Sequence, residues 1–205
     1  MPAYQRTAAL SYYKIARSSP SPHARRVGFV SGARPLTGSR TVLPVIGQTE
    51  RHGRRWLRVR LPQRPDGSTG WISAGGVTLG EDPWHVVIDR AERTATIYYK
   101  GRVTRTFPVV VGKPSTPTPA GDFFLAEIVY EGYGLQTGPY ALASSAYSNV
   151  LQEFDGGPGQ VAMHRLVGLS GTPGQAVSHG CVRFYDHDIT WLAKHLTPGT
   201  PITID

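Results

Sequence analysis

Cysteine is almost absent: the 205 residues contain one, Cys181. An internal disulfide and a four-cysteine zinc site are therefore excluded. Long apolar runs are absent too, since no stretch approaches the ~18 residues that span a bilayer, so no transmembrane segment is expected. The first twenty residues, MPAYQRTAALSYYKIARSSP, lack the apolar block of a signal peptide. A cytosolic chain, or an export segment outside these residues, fits that lack. Acids are scarce in the first part. Residues 1–80 hold thirteen of the 22 Lys and Arg but only two of the 14 acids, Glu50 and Asp66. The whole positive excess of +8 thus sits there. Such a bias suits an anionic partner (nucleic acid, lipid headgroups or an acidic wall polymer), and equally a surface that only keeps the chain soluble.

What is abundant is punctuation. The 24 glycines and 17 prolines interrupt the chain too often for long helices and favour short strands joined by turns. Residues 1–26 include RSSPSPHARR, which has no hydrophobic period and reads as a flexible leader or linker. From residue 27 the texture changes. RTVLPVIG is a short apolar run, RWLRVRLP alternates Trp56, Val59 and Leu61 with arginines, RPDGSTG is turn chemistry, and WIS opens another strand. Residues 27–80 thus read as a small β-barrel domain, and RRWLRVRLPQRPDGSTGWIS resembles a bacterial SH3-like domain. After GEDPW at 80–84 the pattern predicts an antiparallel meander over residues 86–111, an extended loop at KPSTPTPAG, and a strand at DFFLAEIVY. Residues 131–160, rich in Gly, Tyr and Ser, read as a long loop or lid. One helix is predicted, DHDITWLAKHL at 186–196, with acids at its start, Lys194 and His195 near its end, and Ile189, Leu192, Ala193 and Leu196 on one face. The fold class is mainly β, a small barrel followed by a β-rich domain over 84–205.

The lone thiol sits in SHGCVR, where a cysteine that merely fills space needs no such neighbours. A thiol is mostly protonated at neutral pH, so a nucleophilic one needs a base or cation nearby and donors for the oxyanion it creates. His179 is two residues before Cys181. His164, in the apolar run VAMHRL, is seventeen before it, and the turn-rich segment between them can bring the two strand ends together. Gly180 permits close approach of a substrate and leaves backbone N–H groups near the thiol for an oxyanion. Arg183 is suited to a carboxylate. Two alternatives compete: Cys181 as a buried small hydrophobe, and a zinc site from His164, His179, Cys181 and His187. Neither a Cys-x-x-Cys nor a His-Glu-x-x-His motif supports the latter.

MHRLVGLSGTPGQAVSHGCVRF resembles the signature of the YkuD-type L,D-transpeptidase catalytic domain, and VGKPSTPTPAGDF and the closing GTPITI fit the same family, in order, from about residue 84 to the end. The resemblance implies Cys181 as nucleophile and His164 as its base, oriented by a backbone carbonyl just after it. His179 and Gly180 would shape the oxyanion pocket, Ser178 would steady the loop, and Arg183 would contact substrate or brace the site. It further implies 3→3 crosslinking of peptidoglycan stem peptides as donor and acceptor, covalent inhibition by carbapenem-type β-lactams, an extracytoplasmic location in the wall or periplasmic space, and no metal, nucleotide or nucleic acid. Anionic wall polymers would suit the basic first part. One departure stands out: the family often has glycine after the histidine, and this chain has Arg165. Two rivals remain open, a wall-binding protein with a silent second domain and a sortase-like transpeptidase. The latter's cysteine is normally not preceded by His-Gly.

Overall fold

The computed structural model describes residues 1–154, 156–166 and 168–205. Seven strands build the first sheet: β1 (Gln5–Leu10), β2 (Lys14–Arg17), β3 (Arg26–Val30), β4 (Val42–Arg51), β5 (Arg54–Arg60), β6 (Thr69–Ser73) and β7 (Val77–Asp82). Their order is β3-β2-β6-β5-β4-β1-β7. Ala8, Leu10, Ala16, Val30, Leu43, Val59 and Ile72 point to one shared core, so the sheet curls around it.

The expectation of a flexible leader over 1–26 fails here. β1 lies between β4 and β7, and Ala8, Leu10 and Ala16 are fully buried. The reason is the size of the inward residues. Ala8 and Ala16 point into the barrel interior, and Lys14, on the same face of β2 as Ala16, donates to the Gly75 carbonyl, so the period-2 signal has little hydrophobic amplitude. The Ser/Pro stretch is the connection between β2 and β3, closed as a hairpin by the Ser18 amide on the Arg25 carbonyl at 2.9 Å.

The second part contains β8 (Trp84–Asp89), β9 (Thr94–Tyr99), β10 (Arg102–Pro108), β11 (Val111–Gly112), β12 (Gly121–Tyr130), β13 (Tyr140–Tyr147), β14 (Gln160–Arg165), β15 (Ala176–Ser178), β16 (Val182–Phe184), α1 (Asp186–His195) and β17 (Pro201–Ile204). Eight of these strands form one sheet, β10-β9-β8-β17-β12-β13-β14-β16, with β17 parallel to β8 and β16 parallel to β14. β11 pairs with β15 apart from it. The helix buries Ile189, Leu192 and the following Leu196 against this sheet's core, as its spacing predicts. The reading of 131–160 as one loop is corrected by β13. In YALASSAY the inward positions alternate Leu142, Ser144 and Ala146, and Ser144 Oγ satisfies itself on the Val161 carbonyl at 2.6 Å, so a buried strand looks polar in sequence.

β12 joins the two cores. Phe123 and Leu125 face the second core while Phe124 and Ala126 face the first, which is why FFLA is an unbroken apolar run. Just beyond, the register shifts and fully buried Glu127 turns toward the barrel, accepting from the Thr37 amide and hydroxyl at 3.2 and 3.1 Å with Arg34 at 3.6 Å. Arg60 pairs with Asp122 at 2.7 Å, and Asp82 accepts from Thr197 and Thr200 at 2.9 and 2.6 Å. The barrel is thereby locked against the sheet that carries the thiol.

Candidate active site

Parallel pairing of β14 with β16 sets Met163 opposite Val182 and His164 opposite Arg183. Met163 and Val182 turn into the core. Strand alternation then sends His164, Arg183 and Cys181 to the other face together. His164 and Cys181 are diagonal neighbours there, about 8 Å apart at Cα by strand spacing. The fold thus brings the histidine seventeen residues upstream to the sulfur's strand face.

His164 is buried, and its Nδ1 lies 2.8 Å from the Arg165 carbonyl. A carbonyl only accepts, so Nδ1 carries the hydrogen and Nε2 keeps its lone pair. Burial, aided by the nearby Arg183 charge and opposed by the bond to Arg165, lowers the ring's pKa to about 4. It is therefore a neutral acceptor at physiological pH. Burial pushes the Cys181 thiol up from its ordinary value, against the Ala162 amide on the sulfur and the Arg183 charge. Both groups rest in their neutral forms.

The loop before the thiol is held from within. Ser178 is fully buried; its Oγ donates to the Cys181 carbonyl at 2.6 Å and accepts from the Gly180 amide at 3.1 Å. The Gly180 N–H is thereby engaged on Ser178. Glycine is still required: its φ of +123° is one that side chains rarely adopt. Two threonines in the TPTPAG segment complete the clamp. Thr116 Oγ1 donates to the Ser178 carbonyl at 3.2 Å and Thr118 Oγ1 to the Gly180 carbonyl at 2.8 Å, while Thr118 accepts from the Gly112 amide at 2.9 Å. Sequence reading quoted this segment for its resemblance but assigned it no role.

Arg183 is buried, with Nη1 on the Ser170 carbonyl at 2.7 Å and Nε without a partner among the described residues. It stands beside the sulfur as a fixed cation. His179 is exposed and its ring packs on Phe154, centroids 5.4 Å apart. Both line a narrow cleft with Cys181, Ser148, Leu151, Gly159 and Val161. Cys181 is partly open to it. His187 is elsewhere, on α1, 3.0 Å from Asp188. Among the described residues no three His, Cys, Asp or Glu side chains gather as a metal site.

Arg165 is the feature sequence reasoning left open. Its side chain is buried and donates to the carbonyls of Leu135, Tyr133 and Gln136 at 2.5, 2.8 and 3.4 Å, with Asp186 at 3.7 Å. The residue that orients the histidine with its backbone therefore holds the 131–139 loop with its side chain.

The sequence pattern of the YkuD family, described as the L,D-transpeptidase catalytic domain, matches residues 83–204. This chain belongs to that family. Among named L,D-transpeptidases, the Bacillus subtilis protein that carries the name YkuD is 30% identical over 60% of this chain and 66% of its own length. L,D-transpeptidase 1 of Mycobacterium tuberculosis is 31% identical over 54% of this chain and 46% of its own. This chain therefore spans less than two thirds of either relative. A solved structure of the L,D-transpeptidase LdtMt1 in complex with imipenem superposes with a TM-score of 0.50, covering 93% of this chain and 99% of that one at 16% identity. At that identity the likeness is one of fold, and it extends over both the barrel and the second domain.

Proposed function

We propose that this chain is a cysteine-dependent L,D-transpeptidase that forms 3→3 crosslinks between peptidoglycan stem peptides. The observation that carries this reading is the shared strand face of His164 and Cys181, with Cys181 partly open to the cleft, His164 neutral, and its Nδ1 hydrogen on the Arg165 carbonyl so that Nε2 keeps its lone pair. The Cys181 sulfur attacks the carbonyl joining the third residue of a stem tetrapeptide, an L-centre, to its terminal D-residue. A C–S bond forms as His164 takes the thiol proton. The C–N bond then breaks and that proton goes to the leaving amine of the D-amino acid. A side-chain amine of a neighbouring stem attacks the thioester and gives up its proton to His164. The new amide forms and the thiol is regenerated.

Both pKa shifts argue for proton transfer during attack, since neither partner is charged at rest. Arg183 stabilises the sulfur as negative charge develops on it. With the Gly180 amide engaged, the oxyanion donors fall to the His179 and Cys181 amides on either side, and Ser178 with Thr118 fixes their direction. Narrowness of the cleft excludes water from the thioester. Carbapenem-type β-lactams acylate the same sulfur, and the place of action is extracytoplasmic, where stem peptides and anionic wall polymers are found.

The test is incubation with tetrapeptide-containing muropeptides and mass detection of products. Wild type is expected to release the D-amino acid and form tripeptide-linked dimers, and Cys181→Ala to form none. Equal product from Cys181→Ala refutes the reading. Retention on purified sacculi without turnover supports instead a wall-binding protein with a silent second domain.

A further inference from the structure

The barrel does more than abut the second domain. The connection between β5 and β6 reaches across to the cleft that holds the thiol. Arg64 Nη1 donates to the Ser148 carbonyl at 2.7 Å, and Nη2 donates to the carbonyls of Pro158 and Leu151 at 3.1 and 3.2 Å. The Arg64 guanidinium lies 5.0 Å from the centre of the Tyr147 ring. Two residues on, Asp66 accepts from the Tyr147 amide with both oxygens, at 3.0 and 3.2 Å. Ser148 and Leu151 are walls of the cleft at Cys181, as is Gly159. A Cβ at Gly159 would sit 2.1 Å from the Leu151 carbonyl oxygen and 3.2 Å from Arg64 Nη2, so that position is kept bare for the carbonyls to converge on the guanidinium.

Three carbonyls from one loop meeting a single fork is an arrangement that arginine makes and lysine does not, because an ammonium offers no planar fork to span them. Phe154, which packs on His179, belongs to the same loop. A path therefore runs from the barrel through Arg64 to the loop backbone, and from there to the wall beside the thiol.

We infer that Arg64, supported by Asp66, is a positioning residue for the donor site: the barrel sets the shape of the cleft wall, and affinity for the acyl donor depends on it. This rests on the transpeptidase reading above. The experiment uses the full chain as wild type, Arg64→Ala and Arg64→Lys. It measures the concentration dependence of Cys181 acylation by a carbapenem, alkylation by iodoacetamide, the melting temperature, and amide hydrogen exchange of residues 148–154. In Arg64→Ala the half-saturating carbapenem concentration is expected to rise about tenfold or more, on the scale of one lost charged hydrogen bond. The limiting acylation rate and the alkylation rate should change less than about threefold, and exchange in 148–154 should quicken about tenfold while β8 and β9 stay protected. Arg64→Lys should recover only part of the affinity.

Unchanged half-saturation and unchanged exchange in a folded Arg64→Ala protein overturn the inference. So does an equal fall in acylation and alkylation together with a lower melting temperature, which marks a purely structural residue. If wild type is never acylated yet exchange responds as expected, the transpeptidase reading fails and the barrel-to-wall connection stands.

Discussion

His164→Gln offers a measurement in which the burial of the base appears as a stability difference. In the folded chain burial lowers the ring's pKa to about 4, from an ordinary value of about 6.5. A base with a depressed pKa binds its proton more weakly when folded. The unfolded chain therefore gains protons first as pH falls, and stability drops from about pH 6.5 downward. At about pH 5 the unfolded ring is nearly fully protonated and the folded one mostly neutral, which costs about 2 kcal/mol. Above about pH 7 the cost vanishes. Glutamine keeps a donor of similar reach for the Arg165 carbonyl but has no proton to gain. Urea unfolding of both proteins at about pH 7.5 and pH 5 isolates the ring, because every other titrating group is common to the pair. The wild type should lose about 2 kcal/mol more than His164→Gln between the two conditions. A fixed offset between the proteins at both pH values is expected and carries no weight. Equal losses would mean that the ring titrates alike in both states, and a neutral buried base would be refuted.

The thiol makes a matching statement. Because burial raises the Cys181 pKa, iodoacetamide alkylation should still be climbing past about pH 8.5 and at pH 7 should be below a few per cent of its plateau. A plateau already reached near pH 6 would contradict it by showing a preformed thiolate–imidazolium pair. Arg165→Gly removes the side chain that holds the carbonyls of Tyr133, Leu135 and Gln136. The expected result is faster hydrogen exchange across 133–137 and a stability loss of about 2 kcal/mol, the scale of hydrogen bonds to a charged group. Unaltered exchange there would show that the loop is held by something else.

Chemistry written into contiguous motifs was legible, and chemistry assembled across the fold was not. SHGC and the upstream histidine offered a thiol with two candidate bases, His164 and His179, and only the family resemblance chose between them. The α1 helix was legible in its own residues, with acids in its first turn, Lys194 and His195 in its last, and an apolar face. β1 and β13 were missed where alanine and serine occupy inward positions, the serine satisfied by a hydrogen bond to a backbone carbonyl. Arg64 and Arg165 look like surface charges in sequence. Their partners are backbone carbonyls, which every residue has, so no residue type marks the far end of the contact. The bond from the Gly180 amide to Ser178 Oγ could not be read from SHGC, because a serine side chain has several backbone partners within reach.

In the proposed reaction the sulfur of Cys181 carries the acyl group. Intact-mass and peptide-level mass spectrometry, after brief exposure to a stem tetrapeptide without an acceptor amine, reads that directly. The predicted result is an adduct equal to the tripeptide acyl group on the peptide containing Cys181, with release of the terminal D-residue, and no adduct on Cys181→Ala. Release of the D-residue by Cys181→Ala at the wild-type rate, or an adduct on any other residue, would contradict it.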